Sequence, residues 1–309
     1  MSKGENELVG WLRERLAADS SRVPIGIGDD AAAVVCDGRL VILTADMLLD
    51  GVHFDSREHS YEQIGRKAVA CSLSDCAAMA CEPRSATVSV AFNESMSLEE
   101  AKQLYEGMAD IAGEFNCPIV GGDITSWSGG LAIDVAMLAE PVEGYDPVQR
   151  SGACVGDTIY VSGPLGGSRL GKHLNFVPRL KLAGMLVRER DLHAMMDISD
   201  GLTLDLYRLC EASGCDAELL NEQVEKVVSE SASECAAEDG RSPLDHALND
   251  GEDFELLVVG GYGLKHERFG LIPIGRMVSK APEDRVTIVL CDSEGGRVRI
   301  EPDGYEHFK

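Results

Sequence analysis

Seven aspartates in this chain sit at the ends of apolar segments rather than in charge runs. They are Asp29 and Asp30 in "GIGDDAA", Asp46 in "VILTADML", Asp75 in "SLSDCAAM", Asp123 in "IVGGDITS", and Asp197 and Asp200 in "MMDISDGL". A carboxylate joined to an apolar segment is costly to bury unless it is paired or binds a metal. In "LTADM", Thr44 and Asp46 stand two apart on an expected strand, so both point to one face. A hydroxyl and a carboxylate on one face make a hard-oxygen pair suited to Mg2+. In the helical stretch 61–80, Asp75 lies four after Cys71 and four before Met79, on the inward stripe. Any one of these acids reads equally well as a helix cap or turn residue. The whole set does not.

Glycines accompany the acids. "GIGDD", "VGGD" and "SGPLGGS" permit close backbone approach and offer amide donors to a phosphate, although each also reads as a plain turn. None is a Walker A motif or a full dinucleotide fingerprint. Arg150 is able to hold a phosphate bidentately, and a surface arginine is its plainer reading. There is no G-x-S-x-G, no H-E-x-x-H and no obvious cysteine–histidine pair. A pattern rich in aspartate and glycine but poor in bases fits phosphoryl transfer, where positioning and charge neutralisation supply most of the catalysis.

These residues need a scaffold. The chain has 309 residues, 44% of them hydrophobic, enough for two domains with packed cores. Its formal net charge of −25 disfavours nucleic acid and anionic membranes as partners. Divalent cations would reconcile such a surface with an anionic substrate, and solubility alone would also explain the charge. The ten cysteines form no C-x-x-C pair and read as buried reduced thiols. No signal peptide or membrane-length apolar run is present, which points to a soluble cytoplasmic protein.

Apolar periodicity predicts helices over 5–18, 61–80, 98–115 and "GLTLDLYRLCEAS". Leu8, Trp11, Leu12 and Leu16 share one stripe of the first. Strands are expected over 31–35, 40–45 and 86–92, and over "LAIDVAMLAE", "TIYV", "DFELLVVG" and "RVTIVLCD". "CPIV" reads as a short buried strand ending in Gly-Gly-Asp. The link "EPVEGYDPVQRSGACVGD" marks the domain boundary. The expectation is an α/β or α+β enzyme with mixed sheets in two halves, 1–145 and 146–309.

"GIGDDAAAV", "TADMLLDGVHF", "SLSDCAAMACEPR", "VGGDIT", "YVSGPLGGS", "DISDGL" and "GEDFELL" occur here in the order seen in thiamine-monophosphate kinases, which the chain resembles along nearly its whole length, including its end "GYEHFK". The wider superfamily includes aminoimidazole ribonucleotide synthetase, selenophosphate synthetase and a hydrogenase maturation protein. The resemblance implies a two-domain aminoimidazole ribonucleotide synthetase-like fold and a homodimer formed through N-terminal-domain strands. It implies transfer of the ATP γ-phosphoryl group to thiamine monophosphate in thiamine diphosphate biosynthesis. It implies that Asp30, Thr44, Asp46, Asp75, Asp123, Asp197 and Asp200 bind several Mg2+ ions. Tyr105, Gly122, Arg150 and Ser199 would then contact ATP, and His53, Glu252 and Tyr305 the substrate.

Three departures from the family pattern stand out. Ala45 replaces a second hydroxyl residue, Asp250 stands where glycine is common, and the segment from Leu170 to Ala194 is short. The alternatives are another ATP-dependent enzyme of the superfamily or a non-catalytic nucleotide-binding protein. The first cysteine, Cys36, follows the "GDD" stretch, unlike the early reactive cysteine of selenophosphate synthetases.

Overall fold

The computed structural model describes residues 4–282 and 285–305. It contains two mixed β-sheets with helices between and around them. The first sheet has the order β1-β2-β5-β3-β4. Its strands are β1 (Ala32–Cys36), β2 (Arg39–Leu49), β3 (Cys81–Asn93), β4 (Ile119–Trp127) and β5 (Ala132–Pro141). All pairs are antiparallel except β3 with β4, which are joined through a helix. The second sheet has the order β12-β11-β8-β10-β6-β9-β7. It uses β6 (Thr158–Val161), β7 (Leu192–Asp197), β8 (Asp216–Leu220), β9 (Leu256–Gly260), β10 (Ile272–Val278), β11 (Ile288–Cys291) and β12 (Arg297–Ile300). The mixed α/β class matches the expectation.

Six helices matter for the site. They are α1 (Gly4–Arg15), α2 (Tyr61–Ala78), α3 (Leu98–Glu114), α4 (Lys172–Asn175), α5 (Leu180–Leu186) and α6 (Leu202–Ser213). Ser60 and Ser97 start α2 and α3 with full capping boxes, using Gln63 and Glu100. Helix α2 is central. It touches β2, β3 and β5 on one side and β7, α4 and α5 on the other. A helix enclosed on so many sides cannot be amphipathic, and nearly every residue from Ile64 to Ala78 is buried. Small residues allow this. A Cβ on Gly65 would lie 2.0 Å from the Leu104 carbonyl oxygen, and one on Gly107 would lie 2.0 Å from that of Glu62. The α2 and α3 backbones therefore meet through paired glycines.

Strand periodicity sets what each face carries. On β2, Ile42 and Leu48 are buried while Leu43, Met47 and Leu49 are exposed, so Thr44 and Asp46 share the α2 side. On β9, Leu257 and Val259 enter one core and Leu256 and Val258 another. Helices cover both faces of this sheet, which is why "LLVV" reads as an unbroken apolar run.

Several expectations are corrected. "CPIV" does not end as a buried strand at the glycines. It opens β4, which runs on to Trp127 as an exposed edge strand. The apolar stripe expected over 5–18 is not covered among the described residues: Leu8 and Trp11 of α1, and Leu16 just after it, are exposed. The strand expected over "DFELLVVG" begins only at Leu256. Strands β7, β8, β10 and β12 were not anticipated. Residues 306–309 of the expected family ending lie outside the described residues. Among the described residues, no helix is long and apolar enough to cross a membrane.

The glycine contact between α2 and α3 gives a direct test. Gly65→Ala is expected to lower stability by at least about 2 kcal/mol, because backbone rather than a flexible side chain must move. The urea midpoint measures it, and an unchanged midpoint would mean that the two helices separate freely.

Candidate active site

Helix α2 brings the carboxylates together. It presents Ser72, Ser74 and Asp75 between β2 of the first sheet and β7 of the second. Ser72 Oγ donates to Asp46 at 2.7 Å, and Ser74 Oγ donates to Asp197 at 2.5 Å. Thr44 Oγ1 donates to Asp75. Oxygens of Asp30, Asp75 and Asp197 lie within 4.8 Å of one another. Four segments remote in sequence thus converge on one cluster.

Its electrostatics are unfavourable without a counter-charge. Burial raises the Asp75 carboxyl well above its ordinary value, and the negative charges of Asp46, Asp197 and Asp30 raise it further. Burial likewise raises Asp46 and Asp197. Asp29 is pushed up to about 6, by burial first and by Asp30 second. Arg150 sets a cation against this group, forking onto Asp30 at 2.7 and 3.2 Å. Carboxylate and hydroxyl oxygens at this spacing fit a hard divalent cation.

Arg150 therefore stands against an acid of the cluster and is not the surface arginine of the plainer reading. The "DISDG" turn is held by a residue that sequence reasoning missed. Asp205, in the first turn of α6, accepts from the amides of Ser199, Asp200 and Gly201 at 3.0–3.1 Å. Burial raises its carboxyl to about 7. Arg208 bonds both Asp200 and Asp205. Their i, i+3 spacing in "DLYR" was the available signal.

Not every expected residue joins the cluster. Asp123 stands apart in this chain. It pairs in register with Ser89, which pairs with Asp134, which pairs with Met47. That row lies on the sheet face opposite Asp46. Ala45 also belongs to the outer face, so a hydroxyl there would not meet Thr44 and Asp46. Gly122 sits against Val88 on β4, and Tyr105 packs on the first core from α3. The glycine turn "SGPLGGS" does not present two of its amides to a ligand. Gly166 donates to Asp253 at 2.8 Å and Gly167 to Asp250 at 3.0 Å.

A second group gathers beside the first. The His53 and Tyr305 rings lie 6.2 Å apart, and the Tyr305 amide donates to the Asp200 carbonyl. Glu252 accepts from Lys67 Nζ at 2.6 Å. Lys67 is fully buried on α2 and also donates to the His53 carbonyl. In the sequence it stood only as one of two adjacent cations, Arg66 and Lys67, ahead of a stretch of small residues.

A pH dependence follows from the raised carboxyls. An acid raised by folding holds protons that the unfolded chain has released, so stability falls as pH rises between the two values. Glu252 and Glu255 are lowered and act oppositely, but only below their ordinary 4.5. Burial disfavours the charged form of His59, which also opposes the trend, as a single ring against the whole cluster. In EDTA the melting temperature is expected to fall as pH rises from 4.5 to about 7, where Asp205 titrates. Added Mg2+ and Asp75→Asn should each flatten the slope. A melting temperature that climbs across this range in EDTA would count against a strained acidic cluster.

Comparison with known proteins is consistent with this geometry. Residues 28–140 match the family model of the AIR synthase related protein, N-terminal domain. The chain is 41% identical over 261 residues to a thiamine-monophosphate kinase of Rhodopirellula baltica, covering 82% of this chain and 81% of that one. It is 30% identical over 325 residues to the thiamine-monophosphate kinase of Aquifex aeolicus, covering 99% and 98%. A solved structure, AaThiL complexed with AMPPCP and TMP, superposes with a TM-score of 0.84 at 28% identity over 99% of this chain and 97% of that one. The fold, the order of the acidic segments and these likenesses lead to one conclusion: the chain belongs to the thiamine-monophosphate kinase family.

Proposed function

We propose that this protein transfers the γ-phosphoryl group of ATP to thiamine monophosphate, giving thiamine diphosphate and ADP. The observation that carries the reading is the convergence of Asp30, Asp46, Asp75 and Asp197, with Thr44, Ser72 and Ser74 bonded to them. Asp30, Asp46, Asp75 and Asp197 would hold Mg2+, with the Thr44 hydroxyl beside them. Bound Mg2+ would neutralise the anionic phosphates of donor and acceptor. The acceptor is a phosphate monoester, whose second pKa is about 6, so its oxygen is already an anion at neutral pH. A general base has nothing to remove. In this reading residues 1–145 form the nucleotide, metal and dimerisation domain, and residues 146–309 complete the nucleotide and substrate site. Ser199, on the turn that Asp205 holds, Tyr105, Gly122 and Arg150 are the proposed ATP contacts. His53, Glu252 and Tyr305 are the proposed contacts of the acceptor. Asp200 and Asp123, outside the close cluster, are proposed as further metal ligands. The neutral hydroxyl of free thiamine would first need activation, unlike the anionic phosphate. Turnover of ATP is therefore expected with thiamine monophosphate and Mg2+, and not with thiamine. Equal turnover of the two acceptors would sink the proposal.

The first sheet also supports a homodimer. Leu43, Met47, Leu49 and Leu138 crowd its outer face, and edge strand β4 exposes Val120 and Trp127. A solvated apolar face and an unpaired edge are both liabilities for a monomer. Light scattering is expected to give twice the 33.2 kDa of one chain. Replacing Met47 and Leu43 by lysine should shift the species toward a monomer. A wild-type mass of one chain at assay concentration would exclude the dimer.

A further inference from the structure

Lys67 has no exposed surface, although it carries an ammonium group. Burying such a charge costs several kcal/mol unless its partners are well placed. Its Nζ meets Glu252 Oε1 at 2.6 Å, His173 Nδ1 at 3.0 Å and the His53 carbonyl. Two of the three proposed acceptor contacts, His53 and Glu252, therefore meet at one atom. That atom belongs to the helix that also carries Asp75.

The Glu252 backbone is held separately. It adopts φ 64°, a left-handed conformation that is strained for glutamate. Its amide donates to the Ser199 carbonyl at 2.7 Å, and its own carbonyl accepts from Ser168 Oγ at 2.8 Å. Phe254, also at positive φ, stacks on Phe176 with ring centroids 4.0 Å apart. The loop thus fixes where the side chain starts, and Lys67 with His173 fixes where the carboxylate ends. Burial opposes ionisation of Glu252, yet the His173 hydrogen bond and the Lys67 charge hold its carboxyl below the usual range. Its side chain keeps 24% of its surface exposed, so the carboxylate is not sealed off. The His53 ring has its own support, since the Leu49 amide donates to His53 Nδ1 at 3.0 Å.

We infer that Lys67 is a positioning residue for the acceptor. It holds the Glu252 carboxylate in register with the acidic cluster two helical turns away, so that the organic end of thiamine monophosphate and its phosphate are placed by one rigid helix. This rests on the reading of Glu252 as an acceptor contact. A buried ion pair is weak evidence of a stabilising role, because apolar replacement is often neutral. A positioning role makes a different demand, on KM for one substrate only.

The experiment is a double-mutant cycle on the full chain with Lys67→Met, Glu252→Gln and the double variant. KM for thiamine monophosphate and for ATP, kcat and melting temperature are measured for each. Each single variant is expected to raise KM for thiamine monophosphate roughly tenfold or more, the scale of one charge-assisted hydrogen bond. KM for ATP should change less than about twofold, well under one such bond. The double variant should match Glu252→Gln alone, because Lys67 acts through Glu252. Multiplied single effects in the double variant, or a Lys67→Met that raises both KM values alike, would overturn the inference and leave the Glu252 reading standing. An unchanged KM in Glu252→Gln would overturn both. Should Lys67→Met strand the Glu252 charge and unfold, the charge-neutral double variant compared with Glu252→Gln still decides.

Discussion

Mutual repulsion among buried carboxylates is the constraint on which the rest of this structure depends. Asp46, Asp75 and Asp197 come from β2, α2 and β7, and Asp30 from the loop before β1. Folding brings them together against their charge. The hydroxyls of Thr44, Ser72 and Ser74 each donate one hydrogen bond, and Arg150 balances Asp30. These bonds organise the cluster without neutralising it. The remaining negative charge is what a phosphate-transfer site would use to collect cations, in a protein whose net charge of −25 would otherwise repel its substrates.

Helix α2 is the means by which the cluster is imposed. It lies between the two sheets, touching β2, β3 and β5 on one side and β7 on the other. Its small residues serve this position, since Ala, Cys, Ser and Gly let strands and the neighbouring helix approach closely. The glycine contact with α3 fixes the helix from behind. A capping box fixes its first turn at Ser60. Lys67 and Asp75, on one such helix, keep their separation when a flexible loop would not. Stability in the packing is thereby coupled to geometry in the site.

Much of this was legible in the sequence. The alternation in "VILTADMLL" places Thr44 and Asp46 on one face because side chains on a strand repeat every second residue. The small residues around Asp75 mark an enclosed helix. The ordered acidic and glycine segments carried the family. Local spacing determined these features, and local spacing is what a sequence displays. The unanticipated strand β7 is short and largely buried, so it carries little alternation to read, and the buried acids of β8, Asp216 and Glu218, are held by partners from other segments that the sequence does not display.

What only the tertiary structure decided were the pairings between distant segments. Nothing local shows that Arg150 forks onto Asp30, that Lys67 reaches Glu252 across 185 positions, or that Asp205 caps the turn holding Ser199. Nor does local spacing show that Asp123 falls on the face opposite Asp46, because that depends on strand order and register through Ser89 and Asp134. The glycine turn at Gly166 looked open to phosphate, yet its amides meet Asp253 and Asp250 from another loop. The sequence by itself determined which residues carry charge and which way each faces on its own element. Which charges meet was decided by packing, since an ion pair or a shared cluster is a property of two surfaces brought together.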